Sequence, residues 1–339
     1  MTMFMTTDNH ILELWKLLEE EKNIGLVKRL YSSDSPFHIY CTFQFPDNYY
    51  GVAFTFSNDI RIDISSFENL RELKVMLLPD KSFENSRMLM IQLLQPNNRD
   101  IFATLCENLV QSVIRFDSEK KIVRTVINQL EKWKTLFDKN NATGLSTSEQ
   151  QGLFGELHFL QKYLAIPDIN PCKVLNTWVG VDKALRDYQS DSWAVEVKTT
   201  STNNPQKVTI NGERQLDETL LNNLFLFHYS VEVSNGNGIT LCQKISDIRK
   251  TLENDAPALS LFNAKLFEAG YSDKHESFYK DRFYQTRNEN FYQVENDFPR
   301  IKENELCKGV SEVSYSIILA MCNEYLVSEN HVLNTIKSI

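Results

Sequence analysis

The pattern of apolar and polar positions changes period several times along the chain. Over residues 8–21 apolar side chains recur at Ile11, Leu14, Trp15 and Leu18, the spacing of one helical face. Shorter runs follow: "HIYCTFQF", "YGVAFTFS", "IRIDISS", "LKVMLL" and "MLMIQLL". The turn formers Pro46-Asp47-Asn48 and Asn58-Asp59 separate the first three, so the region reads as an antiparallel sheet of about five strands. Helical spacing returns at 99–114 and 118–137. The second of these helices aligns Ile122, Val123, Val126, Ile127, Leu130, Trp133 and Phe137. It also carries Lys120, Lys121, Arg124, Lys132, Lys134 and Lys139, either a solvated helix face or a stripe that tracks phosphates.

The segment "KNNATGLSTSEQ", residues 139–150, breaks that helix at its Asn pair and Gly144. Ser146-x-x-Glu149 then forms a capping box for a helix over 147–164, with Leu153, Leu157, Leu160 and Leu164 as its core stripe. After Pro167 and Pro171, strands are expected near 174–179, 185–188, 193–199, 207–211 and 224–233, with a short helix after Gly212. Two helices over 242–254 and 258–269 and aromatic-rich strands in "DRFYQTRNENFYQV" and "VSYSIILAMCNEYLV" complete the chain. The expected division is an N-terminal α+β domain over 1–140, a mixed α/β core over 146–240, and a helical and strand region over 241–339 that packs on the core.

Composition narrows the function classes. With 42% hydrophobic residues, 11 Gly and 9 Pro in 339 residues, the chain can bury sizeable cores and is not built for long disordered tracts. No apolar run has the length of a membrane span, and the N-terminus lacks the basic start and cleavage site of a signal peptide. Six cysteines without a C-x-x-C pair point to free thiols in a reducing cytoplasm, and a zinc site is not expected because neither Cys nor His clusters. The net charge of −9 is spread evenly, with 17 basic and 20 acidic residues in 1–150, 7 and 10 in 151–240, and 12 and 15 in 241–339. Binding of nucleic acid by bulk charge is therefore disfavoured, whereas a local basic groove is not. Phosphate-binding loop, serine-hydrolase elbow and zinc-protease motifs are all absent.

The chemistry concentrates in "RDYQSDSWAVEVKTT", residues 186–200. On a strand over 194–199, Val195 and Val197 share one face, and Ala194, Glu196 and Lys198 the other. A hairpin through the polar "QSDS" at 189–192 would set Asp187 across from Glu196. Two carboxylates buried together repel unless a cation lies between them. A hard cation such as Mg²⁺ takes oxygen ligands and retains several waters. Asp187, Glu196 and the backbone carbonyl of Val197 would serve, with Lys198 positioned to orient or deprotonate a bound water. That set suits phosphodiester hydrolysis. The competing reading is a surface ion pair between Glu196 and Lys198. The second carboxylate, the flanking valines with Trp193, and the small polar run Thr199 to Thr202 speak against it.

"DYQSDSWAVEVK" resembles the signature of the PD-(D/E)XK phosphodiesterase superfamily, which has the restriction-endonuclease-like fold. The wider stretch "GLFGELHFLQKYL … VLNTWVG … RDYQSDSWAVEVKTT … VTINGERQLDE" is similar to bacterial PD-(D/E)XK motif proteins of restriction and phage-defence gene clusters. The resemblance covers about residues 148–220, with a fainter echo in "GVSEVSYSI". It implies a mixed central sheet flanked by helices, with Asp187 and Glu196 as metal ligands and Lys198 as catalytic lysine. Glu156 in "GELHFL" matches a helix glutamate that supports the metal or its water, and Gln215 in "GERQLD" a helix glutamine near the site. Arg214 and Lys207 are candidate phosphate contacts. The proline that normally precedes the aspartate is replaced by Arg186, and Tyr188 stands where an aromatic residue is usual.

The resemblance implies a Mg²⁺-dependent DNA endonuclease, with Mn²⁺ able to substitute, acting in bacterial restriction or anti-phage defence. Cutting both strands of a duplex generally needs two sites, which suggests a homodimer or larger assembly. An ATPase or methyltransferase partner from the same gene cluster would deliver an acidic protein to DNA. The alternatives are a catalytically silent scaffold or DNA-binding subunit with a nuclease fold, and a nuclease for RNA or branched DNA.

Overall fold

The computed structural model describes residues 10–337 except 34, 36, 69, 71, 140–143, 183, 184, 203–205 and 311. Asp8 and the Asn140-Asn141 pair lie outside the described residues, as do the side chains of Phe137 and Lys139. The chain divides into two units, one of residues 1–143 and 259–270, the other of 144–258 and 271–339.

In the first unit, helix α1 (His10–Glu20) precedes strands β1 (Gly25–Leu30), β2 (Ile39–Phe45), β3 (Tyr49–Ser57), β4 (Leu73–Pro79) and β5 (Ser86–Leu93), then helices α2 (Arg99–Val113) and α3 (Glu119–Lys139). The strands form an antiparallel sheet in the order β1-β2-β3-β5-β4. Its core joins Trp15 of α1, Val52, Phe54 and Ile91 of the sheet, Leu105 and Leu109 of α2, and Val126 and Trp133 of α3. The sheet has five strands, but not the five expected. "IRIDISS" is a loop with a single 3₁₀ turn at Ser65–Phe67, and "GLVKRL" supplies β1. Ile60, Ile62 and Ile64 are half-buried against the core, and they gave a strand-like alternation without backbone pairing. Lys120, Lys121, Arg124 and Lys132 of α3 are exposed.

The second unit opens with α4 (Thr147–Leu164) and α5 (Pro171–Thr177), followed by β6 (Tyr188–Gln189), β7 (Trp193–Thr200), β8 (Lys207–Asn211), β9 (Asn223–Ser234) and β10 (Ile239–Thr240). Then come α6 (Leu241–Thr251), α7 (Ala256–Glu268), which continues into residues of the first unit, and α8 (Glu276–Tyr279). Strands β11 (Phe283–Gln293), β12 (Ser314–Ile318) and β13 (Leu326–Val327) and helix α9 (Glu329–Ile336) end the chain. The main sheet runs β10-β11-β9-β7-β6, with β13 on β11. It is mixed: β7 and β9 are parallel and the other pairs antiparallel.

Helix α4 begins at the expected capping box, in which Ser146 and Glu149 satisfy each other's backbone amides. It covers one sheet face through aromatic contacts. Phe154 stacks on Tyr284, and Phe159 meets Tyr188 and Phe227. On the other face, Ala194, Leu224, Leu226 and Tyr292 share a core with Val208, Ile210 and Ile317 of a two-stranded ribbon formed by β8 and β12. Residues 174–179, expected as a strand, instead belong largely to α5, whose Asn170 cap and Pro171 start override the apolar run. The short helix expected after Gly212 is a series of turns. All six cysteines are free thiols, and among the described residues no helix is long and apolar enough to cross a membrane.

Candidate active site

The β6–β7 hairpin forms as its polar turn demands, with Ser190 N–H donating to the Trp193 carbonyl at 2.9 Å. Its register pairs Tyr188 with Val195 and Gln189 with Ala194, which sets Asp187 opposite Glu196. Glu196 and Lys198 leave β7 on the face that carries Ala194, the face covered by the ribbon.

Asp187 is anchored by its surroundings. Its Oδ2 accepts the Val197 amide at 2.7 Å, and its carbonyl accepts the amides of Val179 and Gly180, both at 2.9 Å. Gly180 is required by this close approach, since an added Cβ would stand 2.9 Å from Asp187 Cα. Val197 thus reaches the site through its N–H, which fixes the first carboxylate. Glu196 is buried. Its Oε1 pairs with Lys198 Nζ at 2.7 Å, and its Oε2 is buried with no hydrogen-bond partner. Lys198 Nζ also donates to Gln215 Oε1 at 3.3 Å, an atom that accepts the Asn211 amide at 2.9 Å as well. Glu156, on α4, accepts Trp178 Nε1–H at 2.7 Å, while its backbone carbonyl accepts the Tyr188 hydroxyl at 2.8 Å.

The electrostatics follow from three carboxylates close enough to repel one another. Burial, then Glu196 and Glu156, hold the Asp187 carboxyl well above its ordinary range. Burial raises Glu156 to about 7 against the opposing Trp178 hydrogen bond, and the Glu196 charge adds to the rise. Burial raises Glu196 too, with Lys198 pulling the other way. Burial alone would lower Lys198, but the neighbouring Glu196 carboxylate outweighs it and the net direction is upward. Lys198 is therefore held in its charged form.

All five residues expected at the catalytic centre lie together: Asp187, Glu196, Lys198, Glu156 and Gln215. Gln215 arrives on a turn rather than a helix. The two expected phosphate contacts are both at the surface. Lys207 is exposed on β8, and Arg214 is exposed and paired with Glu303. Among the described residues no group of three or more His, Cys, Asp or Glu side chains is placed to hold a metal ion. The donor set is instead an open one. The partnerless Glu196 Oε2, set among carboxylates that raise each other's proton affinity, is a buried acceptor that a cation would satisfy. This fits a hard divalent ion bound by one or two carboxylates that keeps waters in its remaining positions.

Three residues support the site in roles not expected from the sequence. Trp178 holds Glu156, and Tyr315 of β12 lies near enough to Lys198 and Glu196 to feel both charges. Arg186 is buried where the proline was missing. Its guanidinium donates to the carbonyls of Gln215 at 3.0 Å and Arg214 at 3.1 Å, and to that of Asp217. The departure from the signature at this position, Arg186 in place of the proline, was the available signal for it.

No curated protein and no solved structure matches the chain. The family model described as "Putative PD-(D/E)XK family member, (DUF4420)" matches residues 11–320, which spans both units and every residue of this site, and the chain belongs to that family.

Proposed function

We propose that this protein is a Mg²⁺-dependent DNA endonuclease of a bacterial restriction or anti-phage defence system, with Mn²⁺ able to replace Mg²⁺. The observation that supports it is the convergence of Asp187, just before β6, with Glu196 and Lys198 of β7, with one Glu196 oxygen buried and partnerless. A bound divalent ion would polarise the scissile phosphate and supply the hydrolytic water. Asp187 and Glu196 would hold it, the first fixed in place by the Val197 amide. Lys198, kept protonated by Glu196 and oriented by Gln215, would donate to an attacking water or a phosphate oxygen. Glu156, whose carboxyl burial raises to about 7, is placed to accept a proton released near the carboxylates.

The intact trio favours an enzyme over a silent scaffold. Assembly as a dimer or larger oligomer, and delivery by an ATPase or methyltransferase, belong to the same proposal, because a chain of net charge −9 does not hold DNA by bulk attraction. The test is plasmid cleavage by the full-length protein with Mg²⁺ or Mn²⁺, beside Lys198→Ala and Glu196→Gln. Metal-dependent nicking that both variants lose supports the proposal. Equal nicking by all three proteins removes it.

A further inference from the structure

The β8–β12 ribbon presents a face that the catalytic reading does not use. Its register pairs Asn211 with Ser314, Thr209 with Ser316 and Lys207 with Ile318. All six point outward and are exposed, while Val208, Ile210 and Ile317 turn inward onto the sheet. The outward face has one ammonium group, three hydroxyls, an amide and one apolar tip, and no carboxylate. In a chain with 45 acidic residues against 36 basic, such a face is electrostatically open to a polyanion.

The ribbon is also tied to the catalytic centre. The Asn211 amide donates to Gln215 Oε1, the acceptor that orients Lys198, and Ser314 Oγ donates to Asn211 Oδ1 at 3.2 Å. Tyr315, on the inward side of β12, feels the charges of Lys198 and Glu196. At its other end, the Leu319 amide donates to the Gln206 carbonyl, and Gln206 Nε2 donates to Ser230 Oγ on β9 at 3.1 Å. The ribbon is thus fixed at both ends beside the strand that carries the catalytic pair.

We infer that this ribbon is the element that docks in the major groove of duplex DNA, and so selects the substrate class of the proposed nuclease, a step that rests on that proposal. Paired strands lie about 4.8 Å apart, and the B-form major groove, about 12 Å wide, admits a two-stranded ribbon. The deep, narrow major groove of duplex RNA does not. Lys207, Thr209 and Ser316 supply donors for phosphate oxygens, Asn211 and Ser314 an amide and a hydroxyl for base edges, and Ile318 an apolar contact for a thymine methyl.

The experiment measures fluorescence anisotropy of the full-length protein, with Ca²⁺ replacing Mg²⁺, on labelled DNA of roughly two helical turns. Duplex DNA, single-stranded DNA and duplex RNA are compared for wild type, Lys207→Ala and the double variant Thr209→Glu/Ser316→Glu. Melting by circular dichroism confirms that these exposed substitutions leave the fold intact. The double variant is expected to weaken duplex DNA binding at least tenfold, with little change on the other two. Lys207→Ala should reduce the slope of log affinity against log salt by about one. Duplex binding within twofold of wild type overturns the inference. So does an equal loss on all three nucleic acids, which would report general repulsion, or a wild type that does not bind duplex. Cleavage by wild type and Lys198→Ala is read separately. If cleavage requires Lys198 while the ribbon variants bind normally, the ribbon role alone falls. If binding requires the ribbon while Lys198→Ala changes nothing, the nuclease proposal falls alone.

Discussion

Arg186 Nε donates to the carbonyl of Gln215 at 3.0 Å, so the residue beside the first site carboxylate holds the turn that orients Lys198. The same guanidinium reaches the carbonyls of Arg214 and Asp217 from a buried position. Arg186→Ala would leave those acceptors without their donor, at a cost of about 2–4 kcal/mol. Arg186→Lys should not restore them, because an ammonium lacks the planar fork that spans three carbonyls. Thermal unfolding should show both variants destabilised, and Gln215→Ala, which leaves the Arg186 contacts to the backbone intact, should lower cleavage with a smaller loss of stability.

A second relationship sets how closely helix α4 and strand β7 approach. Gly155 of α4 faces Thr199 of β7, and a Cβ at Gly155 would collide with the Thr199 hydroxyl and stand 3.0 Å from its Cβ. Gly155→Ala therefore forces α4 away from β7 and displaces Glu156, at a cost of about 1–3 kcal/mol. Thr199→Ala should recover part of that loss in the double variant, because it removes the colliding hydroxyl but not the neighbouring carbon. A double-mutant cycle in urea checks this, and simple additivity would rule out the steric account.

Much of this geometry was legible in the sequence because its signals are local. The capping box at Ser146, the alternation in "WAVEVK" and the turn in "QSDS" each act within a few residues, and the structure follows all three. The misreadings have equally local causes. The loop isoleucines 60, 62 and 64 alternate like a strand because they are half-buried against a core, and nothing within that run says whether its backbone has a partner. Residues 174–179 read as β because Val174 and Leu175 are buried apolar positions in an element too short to show a helical period. Contacts such as Arg186 with the 214–217 turn, or Trp178 with Glu156, join segments about twenty or more residues apart, and no local pattern encodes them.

The partnerless Glu196 Oε2 and the mutual repulsion of Asp187, Glu196 and Glu156 make the site costly without a cation. Mn²⁺ or Mg²⁺ should raise the melting temperature of wild type, since a ligand that binds only the folded state stabilises it, by about 2.7 kcal/mol at a hundredfold excess over Kd. Asp187→Asn and Glu196→Gln should lose that response. Differential scanning calorimetry in chelator and in metal separates the two conditions, and an unchanged metal response in both variants would place the ion elsewhere.

Acid stability should depend on a different cluster, which joins α4, β11 and α9. Glu289 of β11 pairs with His158 Nε2 at 2.9 Å and with Lys162 Nζ at 2.7 Å, both on α4, and Lys162 also holds Glu329 of α9 at 2.9 Å. Burial pushes the Glu289 carboxyl up, but the hydrogen bonds from His158 and Lys162 outweigh it and hold the group at about 2. Its folded pKa therefore lies below its unfolded one, near 4.5. The unfolded chain binds the proton first as the medium is acidified, so the stabilisation is full above about pH 4.5 and fades toward pH 2. Allowing for partial exposure, the contribution is on the order of 1–2 kcal/mol. Glu289→Gln should be less stable than wild type by that amount at pH 7, and the two unfolding curves should converge as the pH falls toward 2. A difference that stays constant from pH 7 to pH 2 would mean that Glu289 acts through packing rather than through its charge.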